Sequence, residues 1–161
     1  MSAYLLMTWE EAIEDPILQG LPYKVELNGD GNIVMSPTRY AHGGYQAEIA
    51  TLLKEFLNGK VVTEGAVQTS DNVKVPEVAW LTWEHWEIAR NELAASTAPA
   101  ICVEVTSKSN YRRELNEKKA LYFEAGAKEV WFCDRMGNMI FHTPEGQVAT
   151  SPLCPNFPAS I

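Results

Sequence analysis

Apolar residues recur along this chain in two rhythms, about every second position and about every 3.6, and the switches between them mark its elements. Thr8-Trp9-Glu10-Glu11 has capping-box spacing, with Thr8 as N-cap and Glu11 at N3, and predicts a short helix ended by Pro16 and Gly20. Tyr23 to Leu27 and Asn32 to Met35 flank a Gly- and Asn-rich turn and predict a hairpin, which Ser36-Pro37 closes. From Tyr45 to Leu57 the set Tyr45, Ile49, Leu52, Leu53 and Phe56 holds one helical face, with Asn58-Gly59 as its stop. Val61 to Thr63 and Asn72 to Leu81 read as strands, the second broken by Pro76. Thr82 to Arg90 reads as a short aromatic helix or turn. Ala100 to Val105 is a near-continuous apolar run, the pattern of a central strand buried on both faces. Arg112 to Ala125 predicts a helix capped by Gly126; Val130 to Cys133 and Met139 to His142 predict a second hairpin; the Pro-rich stretch 152–161 reads as a tail.

The chain has 161 residues, 46% of them apolar, which suits one soluble domain with a sizeable core and no need of disulfides or a structural metal. Residues 1–20 serve as its helical lead-in. No apolar run is long enough for a membrane span and the first residues do not resemble a signal peptide, so a cytoplasmic location without membrane contact is expected. Cys102, Cys133 and Cys154 are widely spaced, odd in number and form no CxxC, so neither a zinc knuckle nor a disulfide framework is suggested. The net charge of -8 argues against coating nucleic acid by bulk charge. Charge is uneven, however: residues 108–128 carry Lys108, Arg112, Arg113, Lys118, Lys119 and Lys128 and are locally basic.

Three residues break the local pattern. Glu104 is a carboxylate inside an apolar strand run, so it is either a strand-end or salt-bridged structural acid or the member of a built site. Strand alternation puts it on one face with Cys102 and Thr106. Lys118 falls mid-face among Tyr111, Leu115, Leu121, Tyr122 and Ala125 on the helical wheel; it either snorkels or directs its ammonium at Glu104. Glu77 follows Pro76 among apolar neighbours, at a bulge or strand edge. Two carboxylates and a lysine converging on one sheet make a hard-oxygen site for Mg²⁺ or Mn²⁺, suited to hydrolysing phosphodiesters. No Gly-rich phosphate loop, Ser-His-Asp order or HExxH is present, and no organic cofactor is implied.

Several short stretches, in this order and spacing, resemble the PD-(D/E)xK nucleases and, within them, the Uma-type family of restriction-endonuclease-like proteins. They are Tyr23-Lys24-Val25-Glu26-Leu27-Asn28-Gly29, Met35-Ser36-Pro37 with His42, Pro76-Glu77-Val78, Glu104-Val105-Thr106-Ser107, Glu117-Lys118-Lys119-Ala120-Leu121-Tyr122, Ala125-Gly126 and Val130 to Asp134. The resemblance implies an α/β restriction-endonuclease-like fold, a mixed β-sheet core flanked by helices, with the N-terminal helix and hairpin added. It implies that Glu77 and Glu104 hold the metal, that Lys118 supplies the catalytic lysine from the helix after the strand, where the superfamily pattern would put it at Thr106, and that Glu26 is a further site acid. His42 matches a family position and reads as a hydrogen-bonding residue at a helix entry. The usual acid after the Pro is Asp, so Glu77 is one methylene longer than the pattern.

Two functions follow, with hydrolysis of a small phosphorylated substrate by the same site chemistry as a third option. One is a Mg²⁺- or Mn²⁺-dependent endonuclease cutting DNA, with Lys108, Arg112 and Arg113 on phosphates and, by analogy with this architecture, two copies acting as a homodimer. The other is a catalytically silent module that keeps the nuclease fold for protein association or nucleic-acid docking.

Overall fold

The computed structural model describes residues 7–36, 39–106 and 112–161. Helix α1 (Trp9–Glu14) begins as its capping box predicts: the Thr8 side chain accepts from the Glu11 N–H and the Glu11 carboxylate accepts from the Thr8 N–H. Pro16 does not simply end it. Asp15 accepts from the Ile17 and Leu18 N–H groups and restarts the chain as α2 (Pro16–Gln19), with Pro at the first position, where its missing N–H costs nothing. The hairpin is β1 (Lys24–Leu27) and β2 (Ile33–Ser36), paired with each other alone. Helix α3 runs Tyr40–Phe56, five residues longer at its start than the apolar face predicts, because Gly43, Gly44 and His42 carry no apolar signal.

The remaining strands are β3 (Lys60–Thr63), β4 (Val67–Thr69), β5 (Asn72–Lys74) and β6 (Val78–Leu81), followed by α4 (Trp83–Ala89), β7 (Ile101–Val105), α5 (Arg112–Glu124), β8 (Glu129–Cys133), β9 (Met139–Thr143) and β10 (Gly146–Val148). Six of the strands form one mixed sheet in the order β10-β9-β8-β7-β6-β3, in which only β7 and β8 run parallel, joined through α5. The expected single strand 72–81 is two strands: Pro76 cannot donate to a ladder, so β5 turns back onto β4 while β6 enters the main sheet. Gly59 lets β3 press against β6, since a Cβ there would collide with the Leu81 carbonyl and the Trp80 ring.

Strand alternation divides the core in two. Ile101, Val103 and Val105 pack with Ile49 and Leu53 of α3, Val78, Trp80 and Trp131. Cys102 packs on the opposite face with Val130, Phe132, Val67 and Tyr122 of α5. The stretch expected as a tail is packed against the first of these layers: Cys154 and Phe157 are buried there, and the Met139 N–H donates to the Ala159 carbonyl. All three cysteines are buried and unpaired. No described helix is long and apolar enough to cross a membrane.

Candidate active site

Glu104 lies on the α5 side of β7, as alternation requires, and is only 3% exposed. Antiparallel register pairs Val78 with Val103, so the residue before β6, Glu77, falls beside Glu104 at the end of the sheet. Its carboxylate accepts from the Val105 N–H (3.0 Å), while the Gln46 amide of α3 holds its carbonyl (3.1 Å). From the hairpin, Glu26 reaches the same place and accepts from the Val75 N–H at 2.7 Å. Three buried carboxylates from three separate segments thus converge.

Two ammonium groups answer them. Lys118, buried mid-face on α5, donates to Glu26 Oε1 (3.0 Å) and Glu104 Oε1 (3.3 Å), so it is not a snorkelling lysine. Lys24 was not among the sequence candidates. Its ammonium donates to Glu77 Oε1 (2.5 Å), the Val75 carbonyl (3.0 Å) and Glu104 Oε2 (3.4 Å), and lies 3.8 Å from Glu26 Oε1. Val75 therefore gives its N–H to one side chain of β1 and its carbonyl to another, which pins the hairpin to the segment before Pro76. Tyr122, one turn beyond Lys118, donates its hydroxyl to Glu104 Oε1 at 2.7 Å. His42, in the first turn of α3, puts Nε2 3.5 Å from Glu77 Oε1 and makes no proper hydrogen bond among the described residues.

The two adjacent acids are driven apart. Burial disfavours the Glu77 anion, but the neighbouring Glu104 and His42 side chains and the charged, hydrogen-bonded Lys24 ammonium hold its carboxyl well below the usual range. Burial and the Glu77 charge push Glu104 upward, against the pull of Lys118 and Lys24. Burial also opposes both ammonium groups, yet the carboxylates win and raise each lysine above its usual value, Glu104 contributing most.

Arg112 and Arg113 stand on the exposed start of α5, outside this cluster; Arg113 pairs with Glu117 on its own helix at 2.9 Å. Arg112 and Lys119 flank a groove of about 580 Å³ floored by Phe132, Ile140 and His142. Phe132 is the register partner of Glu104, while the cluster's own acids and lysines do not line the groove. Lys108 lies outside the described residues.

A family model described as "Putative restriction endonuclease", Uma2, matches residues 9–156. The chain belongs to the Uma2 family. Among solved structures it is similar to one described as a putative nuclease belonging to DUF820 from Anabaena variabilis, at 15% identity over 96% of this chain and 94% of that one, with a TM-score of 0.72. That likeness establishes the restriction-endonuclease-like fold. No curated protein matches. In this Uma2 chain, Glu77 and Glu104 offer hard oxygens to a shared cation position, a donor type that suits Mg²⁺ or Mn²⁺. The cation found there is the Lys24 ammonium, and no group of three or more His, Cys, Asp or Glu among the described residues is arranged around a metal position as it stands. The carboxylates supply the oxygen donors a divalent ion takes, and among the described residues they are paired with the Lys24 and Lys118 ammonium groups.

Proposed function

We propose that this Uma2 protein is a divalent-metal-dependent endonuclease that hydrolyses DNA phosphodiester bonds. The observation that carries the reading is the meeting of Glu26, Glu77 and Glu104 with buried ammonium groups at one end of the sheet, in a family described by that activity. Burying three acids together is costly, and such an arrangement persists where chemistry needs it. A bound Mg²⁺ or Mn²⁺ would polarise the phosphate and acidify a water. Glu77 and Glu104 hold that ion in this reading. Lys118 is the catalytic lysine, its ammonium fixed by Glu26 so that it assists the attacking water and meets charge that develops on phosphorus oxygens. Tyr122 keeps Glu104 oriented. Lys108, Arg112 and Arg113 take phosphates, and Lys119 beside Arg112 extends that contact along the groove. Cutting both strands by this route calls for two copies.

A silent docking module is the second reading, favoured by the internal salt-bridged state of the carboxylates. Incubating supercoiled plasmid with Mg²⁺ or Mn²⁺ separates the two. The nuclease reading expects nicking by the wild type and none by Glu104→Ala or Lys118→Ala, each checked for fold by circular dichroism. Full activity in either folded variant refutes the assignment, and an inert wild type favours the docking module.

A further inference from the structure

The two buried lysines of the cluster are built differently. Lys118 projects from the middle of α5, a helix whose Tyr122 is locked into the core. Lys24 projects from β1, which belongs to a two-stranded hairpin outside the main sheet. Its ammonium is surrounded by oxygen: one backbone carbonyl and carboxylates from Glu77, Glu104 and Glu26 lie 2.5 to 3.8 Å away. A shell of one carbonyl and several carboxylates is what a hard cation recruits. The side chain also has somewhere to go. A cavity of about 320 Å³ is lined by Lys24 itself and by Val75, together with Trp9, Ile13, Tyr23 and the acid Glu64.

We infer that Lys24 is a resident cation that competes with the divalent ion: it holds Glu77 and Glu104 together without metal and must swing toward the Glu64 cavity for an ion to bind. The inference rests on the nuclease reading for the identity of the competing ion. Lys24 then sets the metal affinity of the site, as a positioning residue rather than a catalytic one. Two cations cannot share the same carboxylate oxygens at contact distance without strong repulsion. Removing the ammonium frees those oxygens and leaves the acids seeking another cation.

Calorimetric titration of Mn²⁺ into wild type and Lys24→Met tests it. Tighter binding by the variant, about 10- to 100-fold as for other residues that tune metal ligands, is the expected result. Equal or weaker binding by the variant, with the wild type binding, overturns the inference and leaves the nuclease reading standing. Binding by Lys24→Met alone supports the inference and removes the nuclease reading for the natural chain. Binding by neither overturns both. Should Lys24→Met fail to fold, the wild type still decides: ¹⁵N spectra of its protected Lys24 and Lys118 ammonium groups are recorded with and without Mg²⁺ under conditions where binding is independently detected. Loss of the Lys24 signal with retention of that of Lys118 is expected, and persistence of both in the ion-bound protein overturns the inference.

Discussion

Neighbouring strands of this sheet each bury a glutamate, and the two are treated in opposite ways. Glu129, at the start of β8 and 1% exposed, is satisfied by neutral donors: the Trp131 indole (2.7 Å), the Ser151 hydroxyl (2.6 Å) and the Leu153 N–H (2.6 Å). Those donors belong to its own strand and the terminal segment, so the carboxyl acts as a clasp that fastens residues 151–154 to the sheet. Glu104, on β7, meets two ammonium groups, a tyrosine hydroxyl and a second acid. A clasp needs only hydrogen bonds, which neutral groups supply without importing further charge into the core. Like acids crowded with buried lysines raise the electrostatic cost and also make a place where an incoming cation or a developing anion is met by charge already in position. Burial of a carboxylate is therefore a poor guide to function by itself, and the charge of its partners is the better one.

The largest effect that bears on this contrast is at the clasp. Glu129→Leu strands the Trp131, Ser151 and Leu153 donors and should lower stability by on the order of 3 kcal/mol in urea denaturation, while Mn²⁺ binding per folded molecule is unchanged. Lost metal binding in the folded fraction would break the contrast. A smaller effect is expected at Glu77, whose depressed carboxyl stabilises the ion-free fold above its ordinary unfolded value near 4.5. Because the folded carboxyl titrates lower than the unfolded one, that contribution is complete at neutral pH and fades as pH falls below about 4.5. The stability gap between wild type and Glu77→Gln should narrow between pH 6 and pH 3, and a gap that widens with acid would contradict the assignment of charge. The smallest effect belongs to Tyr122→Phe, which removes one hydrogen bond to Glu104 and should cost about 1 kcal/mol, with some loss of Mn²⁺ affinity and none of fold.

How much of this was legible beforehand follows from what each residue violates. Glu104 inside an apolar strand, Lys118 on an apolar helix face and Glu77 after Pro76 each break a periodicity, and the structure brings all three together. Glu26 came from the family pattern and joins them. Lys24 escaped because a lysine in a short hairpin strand breaks nothing; only its two-residue spacing from Glu26, which puts both on one face of β1, hinted at it. Glu129 was hidden beside Lys128 at a strand entrance, where charge is ordinary. Strands β4 and β10, three residues each, are too short to display an alternation, and the packed terminal segment depends on Glu129 rather than on any pattern of its own. Periodicity thus gave the layers, and exceptions to it gave most of the cluster; long-range partners such as Val75 for Lys24 exist only after folding.

The most direct test is Mn²⁺ calorimetry on wild type, Glu104→Gln and Glu129→Gln, all three verified as folded. If the Glu104 cluster is the metal centre and Glu129 a clasp, stoichiometric binding is seen in the wild type and in Glu129→Gln and is lost in Glu104→Gln. Binding that survives in Glu104→Gln, or that vanishes in folded Glu129→Gln alone, contradicts the account.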